Sequence, residues 1–173
     1  MKSWVVSARS CNAASRLVDE LPPIVRLGRA RIERLGAWVR RISHEALEAP
    51  GGAGHGRIER ALRQHGPIEG LALVGVGGDR AVYALSDVEV VKVRLWPGLV
   101  DGQHLREAEV WAAASAEEAT WLCPVRAVGD GWSVMARARP FEGTAGPDGR
   151  RVGDFRRFTF DTGARNLGVL DGR

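Results

Sequence analysis

Three short runs of apolar and β-branched residues constrain the fold of this chain more than any other feature. They are the segments 71–76, 81–85 and 88–93, and they are separated by glycines and by the pair Ser86-Asp87. Runs of this length and composition favour strands, whereas glycines and Ser-Asp pairs favour turns. The sequence therefore predicts three antiparallel strands in meander order.

A helix and two more strands are predicted after the meander. Residues 101–119 are rich in apolar residues and contain no helix breaker after Gly102. Strands are predicted around 124–128 and 131–138, joined by a turn at Gly129-Asp130-Gly131. The chain has 173 residues, of which 45% are hydrophobic, and no run approaches the ~20 apolar residues of a membrane-spanning helix. We expect a soluble α+β protein built on a mostly antiparallel sheet with one crossing helix.

The N-terminal third is predicted to be helical and basic. From Ile24 to about Ala49 the apolar residues recur at helical spacing, with arginines between them, and a short second helix is expected at 57–64. A glycine-rich linker, 50–56, separates the two. Residues 1–66 contain twelve Lys and Arg against six Asp and Glu. We therefore divide the chain into a basic helical segment, 1–66, and a second domain, 67–173.

The two cysteines and the N-terminal residues indicate the cellular compartment in which the protein is expected. Cys11 and Cys123 lie far apart, without neighbours at metal-ligand spacing, so neither a disulfide framework nor a zinc site is expected. The first twenty residues lack the apolar stretch of a secretory signal. A cytoplasmic protein that does not enter a membrane is the expectation.

Two features of the predicted meander suit a phosphate group. Gly75, Gly77 and Gly78 lie between the first two strands, where small residues let backbone N–H groups approach an anion. Lys92 lies in the third strand among apolar neighbours, so its ammonium group is expected to need a carboxylate or phosphate partner. The chain contains only one other lysine, Lys2. A lysine suits a phosphate as a compact point charge.

Acidic residues farther along the chain complete the pattern. Glu107 shares its predicted helical face with Trp111 and could reach Lys92, whereas Glu109 is expected to be solvated. Asp161 precedes Asn166 by five residues near the C-terminus. This spacing allows the aspartate to accept a proton from an attacking hydroxyl while the asparagine helps to hold a magnesium ion.

The order of these motifs resembles that of one family. They are Gly75-x-Gly77-x-x-Arg80-x-Val82-Tyr83, Val91-Lys92-Val93, Glu107 with Trp111, and Asp161-x4-Asn166. In this order they resemble the N-lobe and catalytic loop of the protein-kinase-like superfamily, most closely its small prokaryotic or phage members. The match covers about 71–140 and 158–173, and Arg80 stands where the family has a third loop glycine.

The resemblance implies a role for each matching residue. The glycine loop with Val82 would cover the phosphates of ATP, and Lys92 would contact those phosphates while pairing with Glu107. Met135 would begin the hinge between two lobes, which extends to Arg139. Asp161 would be the catalytic aspartate and Asn166 a ligand of Mg²⁺. The implied cofactors are therefore ATP and Mg²⁺.

Two interpretations follow, from different functional classes. In the first, residues 67–173 are a truncated or degenerate kinase-like domain, since the chain ends before an Asp-Phe-Gly motif and most of the second lobe is missing. ATP binding is then expected, and phosphoryl transfer to a protein Ser or Thr would need a partner that completes the fold. In the second, a non-catalytic module binds nucleic acid or an acidic partner through its Arg-rich helix. That helix displays Arg26, Arg29, Arg34, Arg40 and Arg41.

Overall fold

The computed structural model describes residues 23–49, 55–96, 102–119, 122–140 and 168–169. These residues form an α+β arrangement, as the sequence predicts. The helices are α1 (Pro23–Glu48), α2 (His55–Gln64), α3 (Gln103–Ala113) and α4 (Ala116–Ala119). The strands are β1 (Ala72–Val76), β2 (Arg80–Ala84), β3 (Glu89–Arg94), β4 (Val125–Gly129), β5 (Trp132–Ala136), β6 (Arg139–Pro140) and β7 (Gly168–Val169).

Strands β1 to β5 form one antiparallel sheet in the order β1-β2-β3-β5-β4. The predicted meander is confirmed, because β1 pairs with β2 and β2 with β3. The two later strands are also confirmed, and β5 lies between β3 and β4. The left-handed φ of 73° at Gly131 closes the tight turn between β4 and β5. Strands β6 and β7 pair separately, with Arg139 opposite Val169.

One face of the sheet packs against the first two helices. Helix α1 contacts β3, and α2 contacts β1. The apolar residues of α1 recur three or four positions apart and therefore form a single stripe. That stripe and the alternate residues of β2 and β3 are buried in one shared core, which includes Leu35, Val39, Ile58, Leu62, Tyr83, Val91 and Val93. We call this side of the sheet the helix-packed face.

An ion pair and a hydrogen bond to backbone attach α1 to the turn that precedes β1. Glu69 adopts a φ of 52°, which is uncommon for a residue other than glycine. Its carboxylate accepts hydrogen bonds from Arg34 at 2.9 and 3.2 Å, and its carbonyl accepts one from Arg31. The hydrogen bond from Arg34 lowers the pKa of Glu69. The helix thus holds this turn through side-chain and backbone contacts.

Two sequence predictions need correction. The helix expected over 101–119 is interrupted, because Ala114 has an extended ψ of 135° and separates α3 from α4. The glycine-rich linker was placed at 50–56, but His55 and Gly56 already belong to the first turn of α2. The turn-rich sequence of 141–157 predicts a loop, and these residues lie outside the described part of the chain. Among the described helices, none is both long and apolar enough to cross a membrane.

Candidate functional site

The face of the sheet opposite α1 and α2 carries a row of residues in register across all five strands. Gly75 lies opposite Val82, Val82 opposite Lys92, and Lys92 opposite Ser133. Val128 of β4 completes the row opposite Ser133. Residues directly opposite each other in antiparallel strands point to the same side of the sheet. We call this side the Lys92 face. The structure therefore aligns Gly75, Val82 and Lys92, which the sequence analysis selected.

Exposure changes along this row. Ser133 and Val128 are buried, at 0% and 4% exposure, where α3 packs against β4. Val82 and Lys92 are half-buried, because no described helix covers the β1–β2 side of this face. Within the described part of the chain, the Lys92 face is consequently closed at one end and open at the other. Met135, the predicted first hinge residue, lies opposite Val90 of β3 and is buried.

The turn between β1 and β2 is ordered by its own backbone. The N–H of Gly77 donates to the carbonyl of Arg80 at 2.8 Å, and the N–H of Leu95 donates to the carbonyl of Asp79 at 2.9 Å. A Cβ atom at Gly75 or Gly78 would meet no atom of the described residues within 4 Å, and neither residue has a left-handed φ. The fold of the described residues does not require glycine at these two positions. Both leave open space that a ligand can approach.

Lys92 forms the ion pair with Glu107 that the sequence predicts. The Lys92 Nζ donates to Glu107 Oε1 at 3.0 Å, and both side chains are 24% exposed. The pair joins β3 to the helix that follows it. Glu109 is exposed, as predicted, because it lies on another side of α3. The lysine therefore has a carboxylate partner within the chain.

Arg80 is a partner of Glu107 that the sequence analysis did not identify. Its Nη1 and Nη2 donate to the two carboxylate oxygens of Glu107 at 2.7 and 2.8 Å. The Arg80 side chain is 14% exposed, less than either member of the Lys92–Glu107 pair. The available signal was that Arg80 stands where the family that the sequence resembles has a third loop glycine. Its contact with a helix 27 residues away could not be read from local spacing.

Charge in this cluster is set by two opposing effects. Burial alone would raise the pKa of Glu107, but the hydrogen bond from Arg80 and the positive charges of Lys92 and Arg80 outweigh it. The pKa of Glu107 is therefore lowered from its ordinary value, and the carboxylate is ionised at neutral pH. One carboxylate is thus held between two cations.

Cys123 lies close enough to this cluster to sense its charges. Burial raises the pKa of the thiol, Lys92 lowers it, and Glu107 raises it further. The net shift is upward, so the side chain is a neutral thiol at neutral pH. Cys123 consequently adds no charge to the cluster.

The predicted catalytic aspartate, Asp161, and the predicted magnesium ligand, Asn166, lie outside the described residues. The nearest described segment is β7, which begins two residues after Asn166 and pairs with Arg139–Pro140. Within the described part of the chain, no group of three or more His, Cys, Asp or Glu side chains could hold a metal ion. The described residues thus bring together two cations, Arg80 and Lys92, around one carboxylate.

The arginines of α1 are largely engaged with carboxylates. Arg29 pairs with Glu33 at 2.8 Å, Arg34 with Glu69 at 2.9 Å, and Arg41 with Glu45 at 3.9 Å. The side chain of Arg26 lies outside the described residues. These pairs reduce the net positive charge that the helix presents to an acidic partner.

Comparison of the chain with family models, with curated proteins and with solved structures gave no match.

Proposed function

We propose that the chain is a kinase-like N-lobe that binds ATP on its Lys92 face. The carrying observation is the ion pair between Lys92 and Glu107, which joins the third strand to the following helix beside a glycine turn. This arrangement can place a cation and backbone N–H groups on the same phosphate chain. We also propose that the protein is cytoplasmic.

The open end of the Lys92 face supports this proposal through its shape and polarity. Gly75 and Gly78 leave space for a ligand at the turn, and the half-buried Val82 offers an apolar contact. Nucleotide sites combine mostly apolar walls with a few placed polar groups. Among the described residues Lys92 has one carboxylate partner, and an ammonium group has three N–H donors. Donors thus remain for a phosphate.

The fit to ATP and the fit to Mg²⁺ rest on different residues. The described residues offer space and cations for a phosphate chain, whereas both predicted magnesium-site residues, Asp161 and Asn166, are outside them. The proposal therefore covers nucleotide binding. If bound, Mg²⁺ would supply charge neutralisation on the phosphates. The proposal does not include transfer of a phosphoryl group to a protein Ser or Thr.

A nucleic-acid-binding helix is the alternative from a different functional class. It has weaker support, because three of the six arginines on α1 already pair with carboxylates of the chain. It predicts an affinity for nucleic acid that falls steeply with salt.

The test is calorimetric titration of ATP into the full-length chain, with and without Mg²⁺. We expect saturable binding to the wild type and at least about tenfold weaker binding to Lys92→Met, because a charge-assisted contact to phosphate is lost. Arg126→Met is the matched control, since it removes one cation from the far edge strand, where Arg126 pairs with Glu89. Circular dichroism establishes that each variant is folded. Absence of binding by the folded wild type would refute the proposal.

A further inference from the structure

Arg80 is held in place by two hydrogen bonds to a single carboxylate. It begins β2 directly after the glycine turn, and both of its terminal nitrogens bind one carboxylate. Paired hydrogen bonds of this kind fix a guanidinium group in position as well as in charge. The arginine is therefore a preorganised cation beside the turn that the proposed ligand would approach.

The hydrogen bonds of Arg80 to Glu107 leave part of its donor capacity unused. A guanidinium group has five N–H donors, and those to Glu107 use one on Nη1 and one on Nη2. Lys92 shares Glu107 Oε1 with Arg80. Both cations can thus donate to a second anion without releasing the first.

Among the described residues, the cluster carries more positive than negative charge. Arg80 and Lys92 surround a single ionised carboxylate, and Cys123 is a neutral thiol. Arg94 lies near Asp130, whose side chain is 98% exposed, and Asp79 is exposed in the turn. Carboxylates in that much contact with water are well screened. Partial burial makes the Arg80 and Lys92 charges correspondingly more effective.

We propose that Arg80 is a second phosphate-binding cation and makes the Lys92 face prefer a metal-free polyphosphate chain over its magnesium complex. Magnesium cancels part of the charge on the phosphates and occupies oxygens that Arg80 and Lys92 would otherwise contact. A net positive cluster gains most from the ligand that keeps its full negative charge. The inference rests on the proposed function, because it concerns the same face.

The experiment measures ATP affinity by calorimetry on the full chain, at one ionic strength, in EDTA and in excess Mg²⁺. For the wild type we expect about tenfold tighter binding in EDTA, from one additional charge-assisted contact. Arg80→Gln should bind about tenfold more weakly in EDTA and lose the difference between the buffers. Arg126→Gln, which also removes one cation, should behave as the wild type. Inorganic tripolyphosphate should compete with ATP in EDTA, since the recognised group is the phosphate chain.

The outcomes separate the two proposals. Binding in neither buffer overturns both of them. Equal or tighter binding of the magnesium complex by the wild type overturns the role of Arg80 and leaves ATP binding intact. Retention of the EDTA preference by Arg80→Gln also overturns that role. If Arg80→Gln does not fold, Arg80→Lys keeps the charge without the paired geometry and should retain the preference at reduced strength. The comparison of wild-type affinity in EDTA and in Mg²⁺ tests the proposal even if neither Arg80 variant folds.

Discussion

Lys92 Nζ lies 3.0 Å from Glu107 Oε1, so a strand and the next helix are joined through a pair that is only 24% exposed. Arg80 contributes two more hydrogen bonds to the same carboxylate. The helix α3 is therefore connected to both β2 and β3 by one side chain. Removal of that side chain should affect the position of α3 as well as the charge of the face.

The stability of the fold should depend on the ionisation of Glu107. Its folded-state pKa is lowered, so its contribution is present above the ordinary glutamate pKa of 4.5 and is lost as pH falls through the folded-state value. At pH 7, Glu107→Gln should lower the free energy of unfolding by about 1–3 kcal/mol. The difference from wild type should shrink below about pH 4.5. Urea unfolding between pH 7 and pH 3 measures it.

Glu33→Gln is the control for this prediction. Glu33 pairs with Arg29 on the exposed side of α1, where both side chains are about half exposed. Exposed helical pairs contribute only about 0.3–0.5 kcal/mol. If Glu107→Gln lowers the free energy of unfolding by the same amount at pH 7 and at pH 3, the predicted role of the ionisation of Glu107 is contradicted.

Tyr83 should titrate at unusually high pH. It is fully buried on the helix-packed face, and burial raises the pKa of its hydroxyl to about 12. Because the chain contains a single tyrosine, the absorbance change on tyrosinate formation reports this residue alone. Stability from the raised pKa is present below the ordinary value of 10.0 and is lost as pH rises through about 12. A midpoint near 10 in the folded protein would contradict the burial of Tyr83.

Removal of the same hydroxyl should stabilise the protein. Tyr83 Oη has no hydrogen-bond partner among the described residues, and an unpaired buried polar group costs about 1–3 kcal/mol. Tyr83→Phe should therefore raise the free energy of unfolding by about 1 kcal/mol at pH 7, as measured in urea. A decrease of similar size would indicate that the hydroxyl is hydrogen-bonded in solution.

Gly129 and Gly78 should respond differently to alanine. A Cβ at Gly129 would overlap the buried indole ring of Trp132, whereas one at Gly78 would meet nothing within 4 Å. Gly129→Ala should cost about 1–3 kcal/mol, because the ring or the β4–β5 pair must shift. Gly78→Ala should change stability by less than about 0.5 kcal/mol. Equal thermal unfolding midpoints for the two variants would disprove the predicted overlap.

Leu35 tests whether α1 is part of the sheet's core. It is 0% exposed among residues of α2, β2 and β3. Leu35→Ala should cost about 2–5 kcal/mol, because it leaves a cavity. Arg41→Ala, on the exposed side of the same helix, should cost less than about 0.5 kcal/mol. A mild Leu35→Ala phenotype, with the sheet unfolding separately from the helix, would show that α1 docks only loosely.

The sequence allowed the helices α1 and α2 and the five main strands to be predicted, because each has a clear apolar period or a β-branched run. The interruption after α3 could not be predicted in the same way. Alanine favours a helix, and only the extended backbone at Ala114, followed by a new turn at Ala116, ends it. The strand order, with β5 beside β3, likewise depends on packing that local pattern does not encode.

The Lys92–Glu107 pair could be predicted because a charged residue in an apolar strand needs a partner, and the next helix offered one. The position of Arg80 could not. Its side chain reaches Glu107 only once β2 lies beside β3 and α3 packs against the sheet at β4, and local spacing encodes neither contact. The resemblance to the kinase-like family marks Arg80 only as a departure from that family's third loop glycine.

Both edges of the five-stranded sheet contain an extra residue. In β1, Leu73 and Gly75 face consecutive residues of β2, which leaves Val74 between them; in β4, Arg126 stands in the same way between Val125 and Ala127. Bulges twist a strand and break the regular spacing of its free N–H and C=O groups. Neither border therefore offers a straight ladder on which another chain could add a strand. The sheet is protected at its margins against fibril-like growth.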